Sequence, residues 1–257
     1  MKIDIFGMWV ESYELSRISK DILSRTNGSN SILVVTPNVD HFLRWQRNAN
    51  FRSLYDKADF RLIDGMPILL LARLLHKGNS QRVTGVDLSV EIIKLAAISQ
   101  IPVAIIGGSE QAMELANENL LKTYPTLQVF FTSTPTSGEL KESKYIDYVA
   151  NELNRYEIKI VLLCLGSPKQ EQLYFDLLQS HSLTGTYLAV GGTIDFLAKL
   201  KKRAPIIIQK MGLEWLFRLI QEPRRLFRRY FLSGIFLLPY LTRAAVIWAK
   251  NIAKERV

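Results

Sequence analysis

Several clusters of polar residues in this 257-residue chain are of the types and spacings that do chemistry. Between residues 60 and 67, apolar Phe60, Leu62 and Ile63 run into Asp64-Gly65, and a helix-like stretch, 68–75, follows. This reads as a buried strand that presents one carboxylate at its C-terminal edge, where open α/β sheets bind ligands. Asp64 could take a proton from an attacking hydroxyl as a general base. It could equally be an Asp-Gly turn that caps the next helix. Thr36-Pro37-Asn38 closes another strand. Asn38 offers a donor and an acceptor, which suits sugar hydroxyls or a uracil edge, or it caps a helix. Arg82 and Asp87 flank Thr84-Gly85-Val86. Arg82 could neutralise a phosphate bidentately, or the two residues could form a solvated surface pair. Lys169-Gln170-Glu171 opens a helix after Gly166. A Lys and an amide there fit a diphosphate and a sugar, and they also fit an ordinary polar first turn.

Gly turns recur after strands: Asp64-Gly65, Gly107-Gly108, Gly166-Ser167 and Gly191-Gly192. Each leads into a helix start, where free backbone N–H groups and the helix dipole favour a phosphate. Together they point to a diphosphate-bearing ligand. Near the C-terminus Arg224, Arg225, Arg228 and Arg229 make two i, i+4 pairs, with Phe227 and Tyr230 interleaved. Such a face binds lipid headgroups or nucleic-acid bases. No Asp-X-Asp triplet is present and His41, His76 and His181 are scattered, so neither a metal site nor a cofactor is expected.

The elements that must position these residues follow from periodicity. Strands are expected at 3–6, 31–36, 60–63, 101–106, 127–131, 159–165 and 186–190. Helices are expected at 13–24, 40–47, 51–57, 68–75, 86–98, 110–122, 139–155 and 169–179. Ser109 fits an N-cap and Pro168 the first turn of a helix. The alternation predicts an α/β fold, a largely parallel sheet with helices on both faces. Residues 1–200 read as the α/β domain and 201–257 as a helical appendage. Within the appendage, 206–220 has one helical pattern. The stretch 230–249 is about one membrane span long, but Gly234, Pro239 and Arg243 interrupt it, so interfacial attachment is expected rather than a span.

The net charge is +9, and its placement is uneven. Residues 1–200 carry 20 basic and 21 acidic side chains, whereas 201–257 carry 13 and 3. The surplus lies in the appendage, which implies an anionic surface as partner. The apolar stretch beside the Arg cluster favours membrane over nucleic acid. Cys164 is the chain's single cysteine and sits in an apolar run, which excludes an internal disulfide framework. The N-terminal residues lack the features of a signal peptide, and a reducing cytoplasm is expected. A nicotinamide dehydrogenase fails on the absent Gly-X-Gly-X-X-Gly fingerprint.

The clusters also occur in a specific order. Thr36-X-Asn38, Ala58-Asp59-X4-Asp64-Gly65-X-Pro67 and Arg82-Val83-X-Gly85-X-Asp87-Leu88 come first. Leu165-Gly166-X-Pro168-Lys169-Gln170-Glu171 and Val190-Gly191-Gly192-X2-Asp195-Phe196 follow. The series ends with Arg203-Ala204-Pro205, Gly212-Leu213-Glu214-Trp215-X2-Arg218-Leu219 and Glu222-Pro223-X-Arg225. From about residue 31 to 230 this closely resembles the WecG/TagA/CpsF glycosyltransferases, glycosyltransferase family 26. The resemblance implies a Rossmann-like core with a membrane-binding C-terminal appendage. It also implies an inverting, metal-independent transferase that self-associates. The donor would be a UDP-sugar, often UDP-N-acetylmannosamine. The acceptor would be an undecaprenyl-diphosphate-linked sugar at the cytoplasmic face of the bacterial inner membrane. Products of such enzymes feed teichoic acid, enterobacterial common antigen, capsule or exopolysaccharide synthesis. Transfer from UDP-glucose or UDP-glucuronate is the alternative within the class. By position, Asp64 resembles the catalytic base, Thr36 and Asn38 its neighbours, and Arg82 and Gln170 residues that hold the donor. Arg218, Arg225 and Arg228 resemble the basic appendage positions. After Phe196-Leu197-Ala198 the family pattern calls for Gly, where this chain has Lys199.

Overall fold

Strands buried on both faces need a covering layer on each side, and here a helix follows nearly every strand. The structure, a computed structural model, describes residues 1–76 and 80–255; the side chains of Lys210, Arg225, Arg229, Lys254 and Glu255 lie outside that description. The first half forms β1 (Lys2–Ile5), β2 (Met8–Glu11), α1 (Leu15–Arg25), β3 (Ser31–Val35), α2 (Val39–Arg47), α3 (Ala49–Tyr55), β4 (Phe60–Arg61), α4 (Met66–Leu75), α5 (Gly85–Ser99), β5 (Val103–Gly107) and α6 (Glu110–Thr123). The second half forms β6 (Val129–Ser133), a 3-10 turn (Glu139–Lys141), α7 (Ser143–Arg155), β7 (Ile160–Cys164), α8 (Lys169–Ser180), β8 (Gly185–Ala189), α9 (Thr193–Leu197), α10 (Ile206–Lys210), α11 (Glu214–Gln221) and α12 (Pro223–Glu255).

Six strands make one parallel sheet in the order β4-β3-β8-β7-β5-β6. Side chains alternate across it. Leu33, Val35, Val161, Leu163, Tyr187 and Ala189 join a core with α2, α3, α4, α7, α8 and α12. Ile32, Val34, Ile160, Leu162 and Leu188 join the opposite core with α1, α5, α6 and α9. The expected α/β fold with helices on both faces is therefore present. Because β3 leads into α2 on one face and β8 into α9 on the other, a crevice opens between their C-terminal ends.

Four local expectations change. A hairpin, β1 with β2, replaces the single N-terminal strand. Its turn is Phe6-Gly7, both at positive φ, as two-residue hairpin turns require; a Phe at the first of these positions hides the signal. Pro168 stands just before α8 rather than in its first turn. The 206–220 pattern divides into α10 and α11 at Gly212, whose φ is +76° and whose Cβ would lie 2.8 Å from the Met66 methyl. The tail, by contrast, is one unbroken helix through Gly234 and Pro239.

Packing explains why α12 continues. Pro239 forfeits a backbone hydrogen bond, a cost of about 3 kcal/mol in an isolated helix. Against it, Leu237 and Ala244 are buried in the core. Tyr240 meets Phe42 edge-on at 4.9 Å and Phe6 at 5.4 Å. The Arg47 and Arg243 guanidiniums sit over Phe236 and Phe6. Ser233 donates a 2.6 Å hydrogen bond to Asp40. These contacts lay α12 along α2 and α4 of the same chain.

Candidate active site

The crevice at the strand ends is a cleft of about 780 Å3. The turns after β3, β4, β7 and β8 form its floor, and α11, α12 and the turn before α11 supply a wall through Gly212, Glu214, Trp215, Arg218, Tyr230 and Leu237. The segment after the sheet thus closes the cleft within the same chain.

Asp64 lies half-buried in this floor. Its backbone N–H donates to the Pro37 carbonyl at 3.0 Å, which ties its turn to the one bearing Asn38. The helix-capping alternative does not hold. The residue before α4 is Gly65, and no side chain caps that helix. Among the described residues the Asp64 carboxylate has no hydrogen-bond partner. Burial raises its pKa to about 6, against the opposing pull of Arg218 and Arg82; the negative charges of Glu214 and Asp87 add to the rise. A carboxyl tuned this way is ionised at neutral pH yet basic enough to accept a proton.

Thr36 and Asn38 line the same floor. Asn38 does cap α2: its Oδ1 accepts from the Asp40 and His41 N–H groups at 3.0 and 3.3 Å. That commits the oxygen, so Asn38 can offer a ligand its amide donors but not the acceptor expected from its composition. Gln170, 1 % exposed, also reaches the cleft. Its Oε1 accepts from Gly191 N–H at 3.0 Å and its Nε2 donates to Glu171 at 3.1 Å, fixing the Gly191-Gly192 turn. Gly166, Gly191 and Gly192 all line the cleft.

Arg82 and Asp87 are not a solvated pair. Arg82 donates to Glu214 Oε2 at 3.2 Å. Thr84 caps α5 by accepting from the Asp87 N–H, and the Asp87 carboxylate accepts from the Thr84 hydroxyl and from both terminal nitrogens of Arg203. Burial works against the Asp87 charge, but the Arg203 and Thr84 hydrogen bonds outweigh it and hold the carboxyl below its ordinary range. Glu214, 4 % exposed, also accepts from Arg218 at 2.9 Å, with Arg203 at 3.9 Å. Three arginines and two carboxylates therefore knit the C-terminal segment to the cleft. Sequence reasoning assigned no role to Arg203 or Glu214. The available signal was Glu214 itself, one of three acids among the 13 basic residues of the tail.

Other expected site residues lie elsewhere. Gly107 and Gly108 are absent from the cleft lining, and their positions are set by packing. A Cβ on Gly107 would stand 2.6 Å from the Cys164 carbonyl carbon, and one on Gly108 would stand 2.8 Å from Ile194. Lys169 is exposed and turns to Ser137, at 2.6 Å. Glu171 is fully buried behind Gln170, where desolvation raises its pKa. Of the arginines, Arg218 lines the cleft, whereas Arg224 and Arg228 are exposed on α12 outside it. The side chains of Arg225 and Arg229 fall outside the described residues. Among the described residues no three His, Cys, Asp or Glu side chains form a metal-binding group.

The polar floor, the Asp64 carboxylate and the arginine wall come from segments spread over nearly the whole chain, and so does the family match. The model of the glycosyl transferase WecG/TagA/CpsF family matches residues 3–251 of the 257, and this chain belongs to that family of glycosyltransferases.

Proposed function

We propose that the protein is an inverting transferase that moves a sugar, N-acetylmannosamine or a related hexose or uronate, from a UDP-sugar to an undecaprenyl-diphosphate-linked acceptor. The reading rests on one observation above all. Asp64 is a carboxylate without a hydrogen-bond partner among the described residues, with a pKa of about 6, at the floor of a cleft with Arg82 and Arg218 beside it. In the proposed step the acceptor hydroxyl attacks the anomeric carbon from the face opposite UDP. Its proton passes to Asp64, the bond to the β-phosphate oxygen breaks, and UDP departs with the electron pair. Inversion follows from the single displacement. Arg82, Arg218 and the backbone N–H groups of the Gly166 and Gly191-Gly192 turns would offset the charge that develops on the leaving diphosphate. Thr36, the Asn38 amide and Gln170 would orient the sugar nucleotide.

The acceptor is lipid-linked, so the cleft must work at a membrane surface, here the cytoplasmic face of the bacterial inner membrane. Exposed Ile206, Ile207, Met211, Trp215, Ile220, Phe227, Phe231 and Leu238 on α10–α12 support this, with Arg224 and Arg228 beside them for anionic headgroups. The stretch Leu226–Ala253 is long and apolar enough to cross a bilayer by length and composition. Interfacial attachment fits better, because Leu226, Leu237 and Ala244 of that helix are buried against the rest of the chain. On this reading residues 1–200 carry the chemistry, and the basic appendage, 201–257, both attaches the enzyme and completes its cleft.

Two measurements test the reading. Incubating the protein with a panel of UDP-sugars and a short-chain polyprenyl-diphosphate-linked sugar should give one mass-shifted lipid product. N-acetylhexosamine transfer favours the first donor, and hexose or uronate transfer favours UDP-glucose or UDP-glucuronate. No product with any donor would reject the activity. For attachment, the Phe231→Glu/Leu238→Glu double variant should stay folded and lose co-sedimentation with phosphatidylglycerol vesicles. Undiminished sedimentation would reject α12 as the contact.

A further inference from the structure

We propose that Glu214 is a positioning residue for sugar transfer: it holds Arg82 and Arg218 in place beside Asp64. The inference rests on the transferase reading above and adds a residue that the motifs alone do not single out.

The geometry is specific. Glu214 is the first residue of α11, stands in the cleft wall and is 4 % exposed. Both its oxygens are engaged, and by arginines from different parts of the chain. Oε2 accepts from Arg82, which follows the Asp64 turn and helix α4, and Oε1 accepts from Arg218, one turn along α11. Arg203, from the link between α9 and α10, approaches Oε1 at 3.9 Å while bonding Asp87. Asp87 already neutralises Arg203, but Arg82 and Arg218 would repel each other in this partly dry wall without an anion between them. Glu214 supplies that anion, one oxygen to each.

The same contacts leave the arginines able to act. Arg82 uses Nη1 and Arg218 uses Nη2 for Glu214, and both residues line the cleft. Neither makes another hydrogen bond among the described residues; Arg218 Nε is buried without a partner, so what Arg218 has left for a diphosphate is Nη1, and Arg82 keeps Nη2 and Nε. The Arg218 fork is further fixed over the Phe196 ring at 5.0 Å. Gly212 completes the arrangement, because its close approach to Met66 sets the start of α11 against α4. Glu214 thus acts through two arginines, and its removal should be felt mainly where they are present.

That dependence gives the test. Glu214→Gln keeps the shape and removes the charge. With the UDP-sugar and acceptor that the wild type uses, kcat should fall at least about tenfold while circular dichroism stays native. Double-mutant cycles with Arg82→Gln and with Arg218→Gln then discriminate. In each cycle the combined loss should be at least about threefold smaller than the product of the single losses. A residue needed only for folding would multiply, costing the same factor in every background. Fully multiplicative losses in both cycles, or a wild-type rate from Glu214→Gln, would overturn the proposal. Should Glu214→Gln not fold, Glu214→Asp decides instead: it retains the charge but is too short to reach both arginines. Folded Glu214→Asp should lose at least about tenfold in kcat, and a wild-type rate from it would overturn the proposal. A wild type that transfers no sugar in the donor panel rejects the parent reading, an outcome distinct from an active wild type with multiplicative cycles.

Discussion

At the scale of single residues, the account turns on how Asp64 is tuned. Its pKa of about 6 stands above the ordinary 3.8 because burial penalises the charge more than Arg218 and Arg82 support it. The folded chain therefore holds this proton more tightly than the unfolded chain. The stabilising contribution is complete below about pH 3.8 and is lost as pH rises through about 6. Asp64→Asn should thus melt higher than wild type at pH 7.5, by up to ~3 kcal/mol, and the difference should vanish below pH 4. Thermal unfolding across that range checks it. Lys199 offers a second test. Its φ is +57°, in the left-handed region that favours Gly. The left-handed backbone persists with an unfavourable residue in it. Lys199→Gly should raise stability by about 0.5–1 kcal/mol, read as a higher urea midpoint at unchanged slope. The sequence showed Asp64, Thr36, Asn38, Arg82 and Gln170 as candidates, because strand-end turns advertise themselves. It could not show that Asn38 uses its oxygen on α2, since a capping residue and a ligand-binding residue look alike in one dimension. Nor could it separate Gly107 and Gly108 from the glycines of the cleft, since what excludes a Cβ there is the backbone of β7 and Ile194 of α9.

At the scale of elements, the strands and helices of the sheet were readable because each is a regular apolar run between turn residues. The tail was not, because propensity and packing disagree there. Gly234 and Pro239 argue for a break, yet α12 runs on, held by Leu237, Tyr240 and Ala244 against α2, α4 and the β1–β2 turn. If that docking keeps the helix in place, Tyr240→Ala should loosen it without unfolding the sheet. Loss of two aromatic contacts and their burial should cost about 2–4 kcal/mol of local stability. Limited proteolysis should then cut within α12 first, while the fragment containing the sheet survives. Cleavage at the wild-type rate would show that other contacts suffice.

At the scale of the molecule, charge and apolar surface are divided between two tasks. Residues 1–200 are nearly balanced, and the following segment carries 13 basic side chains against 3 acidic ones. The charge asymmetry was plain in the sequence, but it did not say that the basic segment faces two ways. Arg203 and Arg218 turn inward to Asp87 and Glu214, while Trp215, Ile220, Phe227 and Phe231 stay exposed. One segment can therefore contact a lipid surface and complete the cleft that would receive a lipid-linked acceptor. Everything in that arrangement converges on one carboxylate. The most direct test is turnover of wild type and Asp64→Asn side by side, from pH 5 to 8, with the donor and lipid-linked acceptor that the panel selects. The account predicts a wild-type kcat/KM that rises with pH through an apparent pKa near 6, and an Asn variant that is folded but slower by about 10²–10⁴-fold. A folded Asp64→Asn that turns over near the wild-type rate would contradict it.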